Sequence, residues 1–113
     1  MHEMSLAESI VQIVEDTARA NGGGRVARVL LEVGRLAGVE IEALRFCFDA
    51  ASRTSLAEGA ALAIEEPDGQ AWCLPCGESV TLSGLTDPCP RCGSYQLQVT
   101  GGTQLRVREI EMC

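Results

Sequence analysis

An α+β fold is expected: a small three-stranded sheet with two helices packed on it, and an inserted zinc-ribbon lobe with a four-cysteine site. Three observations carry this expectation. Helical and strand periodicities alternate up to Glu65, two matched CxxC clips follow, and the tail from Gln104 to Met112 returns to strand composition.

Ser5-Leu6-Ala7-Glu8 has the form of a capping box, in which hydroxyl and carboxylate satisfy backbone N–H groups of a first turn, so a helix is expected to begin there. Leu6, Ile10, Ile13, Val14 and Ala18 recur at helical spacing and form one apolar stripe. Asn21-Gly22-Gly23-Gly24 ends it with residues that accept left-handed conformations. From Arg25 the period changes. Ala27, Val29, Leu31 and Val33 fall on one face, Arg28 and Glu32 on the other, as in a half-buried strand.

A turn over 34–38 leads to a second helix reaching about Thr54, with Ile41, Leu44, Phe48 and Ala51 on its buried side. Ala61 to Glu65 reads as a strand, stopped by Pro67-Asp68-Gly69. Residues 70–99 then read as an inserted ribbon lobe, with short strands at Val80–Leu82 and Tyr95–Val99. The tail is expected to join the sheet of the first half, which makes 1–69 plus 100–113 one α+β domain around the 70–99 ribbon.

The clips are Cys73-Leu74-Pro75-Cys76-Gly77 and Cys89-Pro90-Arg91-Cys92-Gly93, with twelve residues between Cys76 and Cys89. Each CxxC aims two sulfurs at one point, and two of them complete a tetrahedron, the geometry that selects zinc or iron over harder cations. The glycine after each clip accepts positive φ and leaves room for backbone N–H groups to approach sulfur. A closed four-cysteine site has no position for substrate, so its default role is structural, and a bound zinc can contribute on the order of 10 kcal/mol of folding free energy.

Composition narrows the function. The chain has 113 residues, 46% of them hydrophobic, and no apolar run near the roughly 20 residues that span a bilayer. No cationic segment precedes an apolar stretch at the start, so a cytoplasmic protein with reduced thiols is expected, which favours metal over disulfide in the clips. Sixteen acidic against nine basic residues, a net charge of −7, oppose contact with nucleic-acid phosphates.

His2 is the sole histidine. Histidine is not a small residue, so Met1 is expected to be retained. Its amine, the His2 amide nitrogen and the His2 imidazole can then close adjacent chelate rings around one ion. The Glu3 amide, a side chain or water supplies a fourth donor, and a nitrogen-rich plane suits Ni(II) or Cu(II). Amine and imidazole must lose protons to bind, so such a site weakens as pH falls.

The opening Met1-His2-Glu3-Met4-Ser5-Leu6, the two-helix front half, the CxxCG and CPxCG clips and the closing Glu109-Ile110-Glu111-Met112 together resemble the HypA/HybF family of hydrogenase maturation factors, which are nickel metallochaperones. The resemblance covers essentially the whole chain. It implies Ni(II) bound as cargo by His2 with the Met1 amine and the backbone at His2 and Glu3, and a structural or sensing Zn(II) held by Cys73, Cys76, Cys89 and Cys92. It implies delivery and no catalysis. Nickel passes toward the [NiFe]-hydrogenase large subunit or its assembly complex with a HypB-type GTPase, and some members also serve urease with its accessory proteins.

Two readings from other classes compete: a rubredoxin-like iron electron carrier, and a zinc-ribbon nucleic-acid or interaction module. Neither accounts for a histidine at position 2. Cys47 lies among apolar positions and reads as a core residue, Cys113 as an exposed thiol, and Trp72 and Tyr95 as covers for the two knuckles.

Overall fold

A computed structural model describes residues 2–113. The elements run α1 (His2–Ala20), β1 (Val26–Val33), α2 (Ile41–Ser52), β2 (Ala61–Glu65), β3 (Gly69–Cys73), β4 (Glu78–Leu82), β5 (Leu97–Gly101) and β6 (Leu105–Met112). Two helices, two small sheets and a four-cysteine lobe make this the α+β architecture expected. The chain forms two compact units: Met1–Leu31, Val39–Ile64 and Arg106–Cys113 in the first, Glu32–Gly38 and Glu65–Leu105 in the second.

The first unit contains α1 packed on α2 and a sheet of order β2-β1-β6, so the tail does join the front-half strands. Its core draws Ala7, Ile10, Val11, Val14 and Ala18 from α1, Val29 and Leu31 from β1, and Leu44, Cys47 and Phe48 from α2. The expected stripe of α1 is corrected by one position: Val11 is buried whereas Ile13 is half exposed. Ala27, at the start of β1, is exposed rather than core.

The start of α1 is a second correction. The helix begins at His2, so Ser5 and Glu8 occupy interior, exposed helical positions and no capping box forms. The earlier start places Glu3 in the first turn, where a carboxylate meets the positive end of the helix dipole. At the other end the Gly23 N–H reaches back to the Ala18 carbonyl at 2.8 Å and Gly22 takes φ +105°, the glycine-dependent stop that the sequence suggests. Helix α2 is capped by a residue that pattern reading passes over. The Glu40 carboxylate accepts from the N–H groups of Glu42 at 3.4 Å and Ala43 at 2.9 Å.

The second unit is a sheet of order β4-β3-β5, antiparallel on both sides of β3. β3 is the strand that sequence reading does not find, since Gly69 to Cys73 lacks the β-branched run that marks a strand. Its alternation is clear in the structure, with Ala71 and Cys73 buried and Gln70 and Trp72 exposed. The small core comprises Leu36, Ala71, Cys73, Val80, Leu82 and Cys89, with Cys76 and Leu97 packed against it. No helix among the described residues is long and apolar enough to cross a membrane.

Candidate metal centre

The two clips are built alike. β3 delivers Cys73, and the turn to β4 is closed by a hydrogen bond from the Gly77 N–H to the Cys73 carbonyl at 2.9 Å, with Gly77 at φ +65°. In the second clip the Gly93 N–H reaches the Cys89 carbonyl at the same 2.9 Å, with Gly93 at φ +77°. A Cβ at either glycine would meet open space, so the residue is required for its left-handed conformation and not for clearance.

The four sulfurs converge. Cys73, Cys76, Cys89 and Cys92 present Sγ atoms all within 4.8 Å of one another. Cys73 and Cys92 approach to 3.6 Å and Cys76 and Cys89 to 3.9 Å. A tetrahedron of sulfurs about 2.3 Å from a central ion has edges of about 3.8 Å, so these two edges already match a tetrahedral thiophilic cation and the set as a whole surrounds one point. Cys73 and Cys89 are buried, Cys76 is half-buried and Cys92 is exposed.

The proton distribution agrees with a site completed by a cation. Burial pushes the Cys73 thiol up. Hydrogen bonding with the Cys92 and then the Cys73 sulfurs pushes Cys76 up to about 12. Cys89 is lowered to about 6, chiefly by the backbone N–H of Cys92, opposed by burial and aided by the Arg91 N–H, which lies 3.4 Å from its sulfur. Four sulfurs this close share protons unless a divalent ion replaces them.

An ion pair lies outside the sulfurs: Glu78, the first residue of β4, meets Arg91, which stands between the two cysteines of the second clip. Nothing in the sequence pairs these two residues. The expectation that aromatics cover the knuckles is corrected, because Tyr95 is 73% exposed and Trp72 lies on the open face of the sheet opposite Ser79 and Gln98. Ring burial would require a second layer over that face, and none is present among the described residues of this unit.

At the other predicted site, His2 is exposed in the first turn of α1, its Nδ1 3.8 Å from Glu3 Oε2. The same Glu3 oxygen accepts the Glu40 N–H at 3.3 Å. That bond and the N–H of Glu3 itself are the leading causes that hold the Glu3 carboxyl below its ordinary value. The Met1 amine, the third expected donor, lies outside the described residues. Of the remaining thiols, Cys47 is buried in the first unit and Cys113 is exposed, as their settings suggested.

The sequence profile described as "Hydrogenase/urease nickel incorporation, metallochaperone, hypA" matches residues 1–112. Proteins named "Hydrogenase maturation factor HypA" are similar along the full chain. Those of Azotobacter chroococcum mcd 1 and Azoarcus sp. (strain BH72) are 58% and 56% identical over 112 residues, covering 99% of this chain and 99% and 98% of theirs. The solution structure of the Ni metallochaperone HypA from Helicobacter pylori matches the fold with a TM-score of 0.68 at 23% identity, covering 97% of this chain and 96% of that one. A second solution structure of a HypA protein gives 0.68 at 24%, covering 100% and 97%.

Proposed function

The chain belongs to the HypA family of hydrogenase and urease nickel-incorporation metallochaperones, and from that premise we propose that it carries one Ni(II) at its N-terminus and hands it on for [NiFe]-hydrogenase assembly, with urease as a second recipient. The donors are the His2 imidazole, the Met1 amine and the backbone nitrogens at His2 and Glu3. The observation that carries this reading is the placement of an exposed His2, followed by Glu3, in the first turn of α1. The first four N–H groups of a helix have no intrahelical partner, so these nitrogens can turn to a metal without breaking a backbone hydrogen bond. The positive end of the helix dipole disfavours a cation there, and Glu3 and Glu8 offset part of that, which suits a site that must also release its cargo.

We assign Zn(II) to the sulfurs of Cys73, Cys76, Cys89 and Cys92. Bound there, zinc would neutralise thiolates that otherwise share protons and would contribute folding free energy to a unit whose own core is small. In this division of labour the α+β part, 1–69 with 100–113, presents the cargo, and the 70–99 ribbon is structural or senses the cargo site. The protein is then a carrier and not an enzyme. It works in the cytoplasm with a HypB-type GTPase and the hydrogenase large subunit or its assembly complex, and with urease accessory proteins where urease is served.

Nickel titration calorimetry on untagged, zinc-loaded protein tests the proposal, beside His2→Ala and a version extended at its N-terminus. One Ni(II) should bind the native chain and be lost from both variants. Nickel binding that survives in both variants would place the cargo site elsewhere. Metal analysis of the same preparation separates zinc from the iron that a rubredoxin-like site would hold.

A further inference from the structure

We propose that the Glu78–Arg91 ion pair is a latch that holds the second cysteine clip against the first and sets the rate at which the four-sulfur site exchanges its metal. This rests on the metal-loaded reading of the site and deepens it, because neither residue is a ligand.

The two clips differ in how they are anchored. Cys73 ends the central strand β3, paired on one side with Glu78 of β4 and on the other with Leu97 of β5. The second clip lies in the irregular stretch between Leu82 and Leu97. Among the described residues, the backbone hydrogen bonds of 84–94 close on the stretch itself: Asp87 to Gly84, Cys89 to Ser94 and Gly93 to Cys89. Arg91 and Ser94 make two further local contacts, to Cys89 Sγ and to the Gln96 N–H. What ties the stretch to the first clip and the sheet is therefore short: the hydrogen bond from the Leu74 N–H to the Gln96 carbonyl at its far end, 3.0 Å, the burial of Cys89, the two sulfur pairs and, at the second clip itself, the Arg91 side chain on Glu78.

Glu78 suits the role of fixed partner. It sits in the ladder directly opposite Cys73, so its backbone is positioned by the strand that delivers the first ligand. Metal loss requires the second clip to swing off the first, and that motion must separate Arg91 from Glu78. Both side chains are substantially exposed, at 64% and 45%, so the pair is worth little to overall folding. Its effect is concentrated in the step that opens the site.

The test uses zinc-loaded, full-length protein and an excess of a metallochromic chelator, with the release rate followed by absorbance and the zinc content of each variant measured first. R91A and E78Q should each retain one zinc and release it about two- to five-fold faster, the range an exposed pair supports. Exchanging the charges, E78R with R91E in one chain, should restore the slow rate, which a merely structural role for either side chain would not do. R35A, which breaks the Arg35–Asp68 pair of the same unit, should leave the rate unchanged. The latch is overturned if R91A and E78Q release zinc at the native rate, if R35A accelerates release as much, or if the charge exchange does not restore it. A native chain that holds no zinc overturns the metal reading and the latch together, whereas a native chain with one zinc and unaltered variant rates overturns the latch alone.

Discussion

Gly34 lies directly on the backbone of Gly102. A Cβ at Gly34 would overlap the Gly102 carbonyl group, and the contact is braced by hydrogen bonds from Gly34 N–H to the Gln104 carbonyl and from Leu36 N–H to the Gly102 carbonyl, both 2.8 Å. Gly102 has φ +84° and itself rests on Gly69, whose Cα would stand 2.6 Å from an added Cβ. Backbone on backbone leaves no side chain to yield, so any methyl group here must displace a strand.

Gly34→Ala should therefore cost about 2–3 kcal/mol, at the upper end of overpacking. Gly101→Ala is the control. Its Cβ would meet only the Gln70 side chain, Cβ at 3.6 Å and Cγ at 3.8 Å, both ordinary contacts, and the change should stay within about 0.5 kcal/mol. Urea unfolding followed by the fluorescence of Trp72, the sole tryptophan, reads the unit that contains all of these residues.

Metal binding to the sulfur cluster should release protons and strengthen with pH. Cys89, lowered to about 6, is already largely thiolate at neutrality, whereas Cys76 at about 12 and the raised Cys73 hold their protons until a cation displaces them. The sign follows: higher pH removes protons that otherwise compete with the metal. Calorimetry of zinc binding at pH 7 in buffers of different ionisation enthalpy should find at least about two protons released per ion, those of Cys73 and Cys76. Zero release would exclude thiolate ligation by Cys73 and Cys76.

Much of this was legible in the sequence, and the parts that were not share a cause. The clips could be read because ligand chemistry imposes spacing, and the tail strand because its alternation is local. β3 was missed because Gly69, Gln70 and Ala71 have no strand preference of their own; burial between β4 and β5 makes them a strand. The start of α1 was misplaced because Ser5 and Glu8 satisfy a local rule that the helix overrides by beginning three residues earlier. Glu40 as a cap, Arg91 against Glu78 and Leu36 in the ribbon's core are contacts between residues that no pattern joins.

Glu3 provides a titration with a defined direction. Its carboxyl is lowered first by the Glu40 N–H, so folding favours the ionised form. That stabilisation is fully present above the unfolded value, about 4.3, and is lost as pH falls through the lower folded value. Glu3→Gln removes it. The difference in thermal midpoint between the native chain and this variant should be constant near neutrality and should shrink as pH is taken from 5 toward about 3. A gap that is constant down to acid pH would mean the carboxylate charge contributes nothing to the fold.

Leu36 and Gly69 give the most decisive test of the metal lobe's packing. Leu36 is 3% exposed and shares a core with Cys73 and Cys89, although it comes from the turn after β1 and lies far from either clip in sequence. A Cβ on Gly69 would fall inside the Leu36 side chain. Leu36→Ala should cost about 2–4 kcal/mol through the cavity it opens, and Gly69→Ala about 1–3 kcal/mol by overpacking. Combined, the two should not add. The Gly69 methyl enters space that the Leu36 side chain has vacated, so the double variant should be more stable than the sum of the singles by at least about 1 kcal/mol. Strict additivity would show that Leu36 does not occupy the space above Gly69, and the core of the ribbon would then have to be closed by other residues.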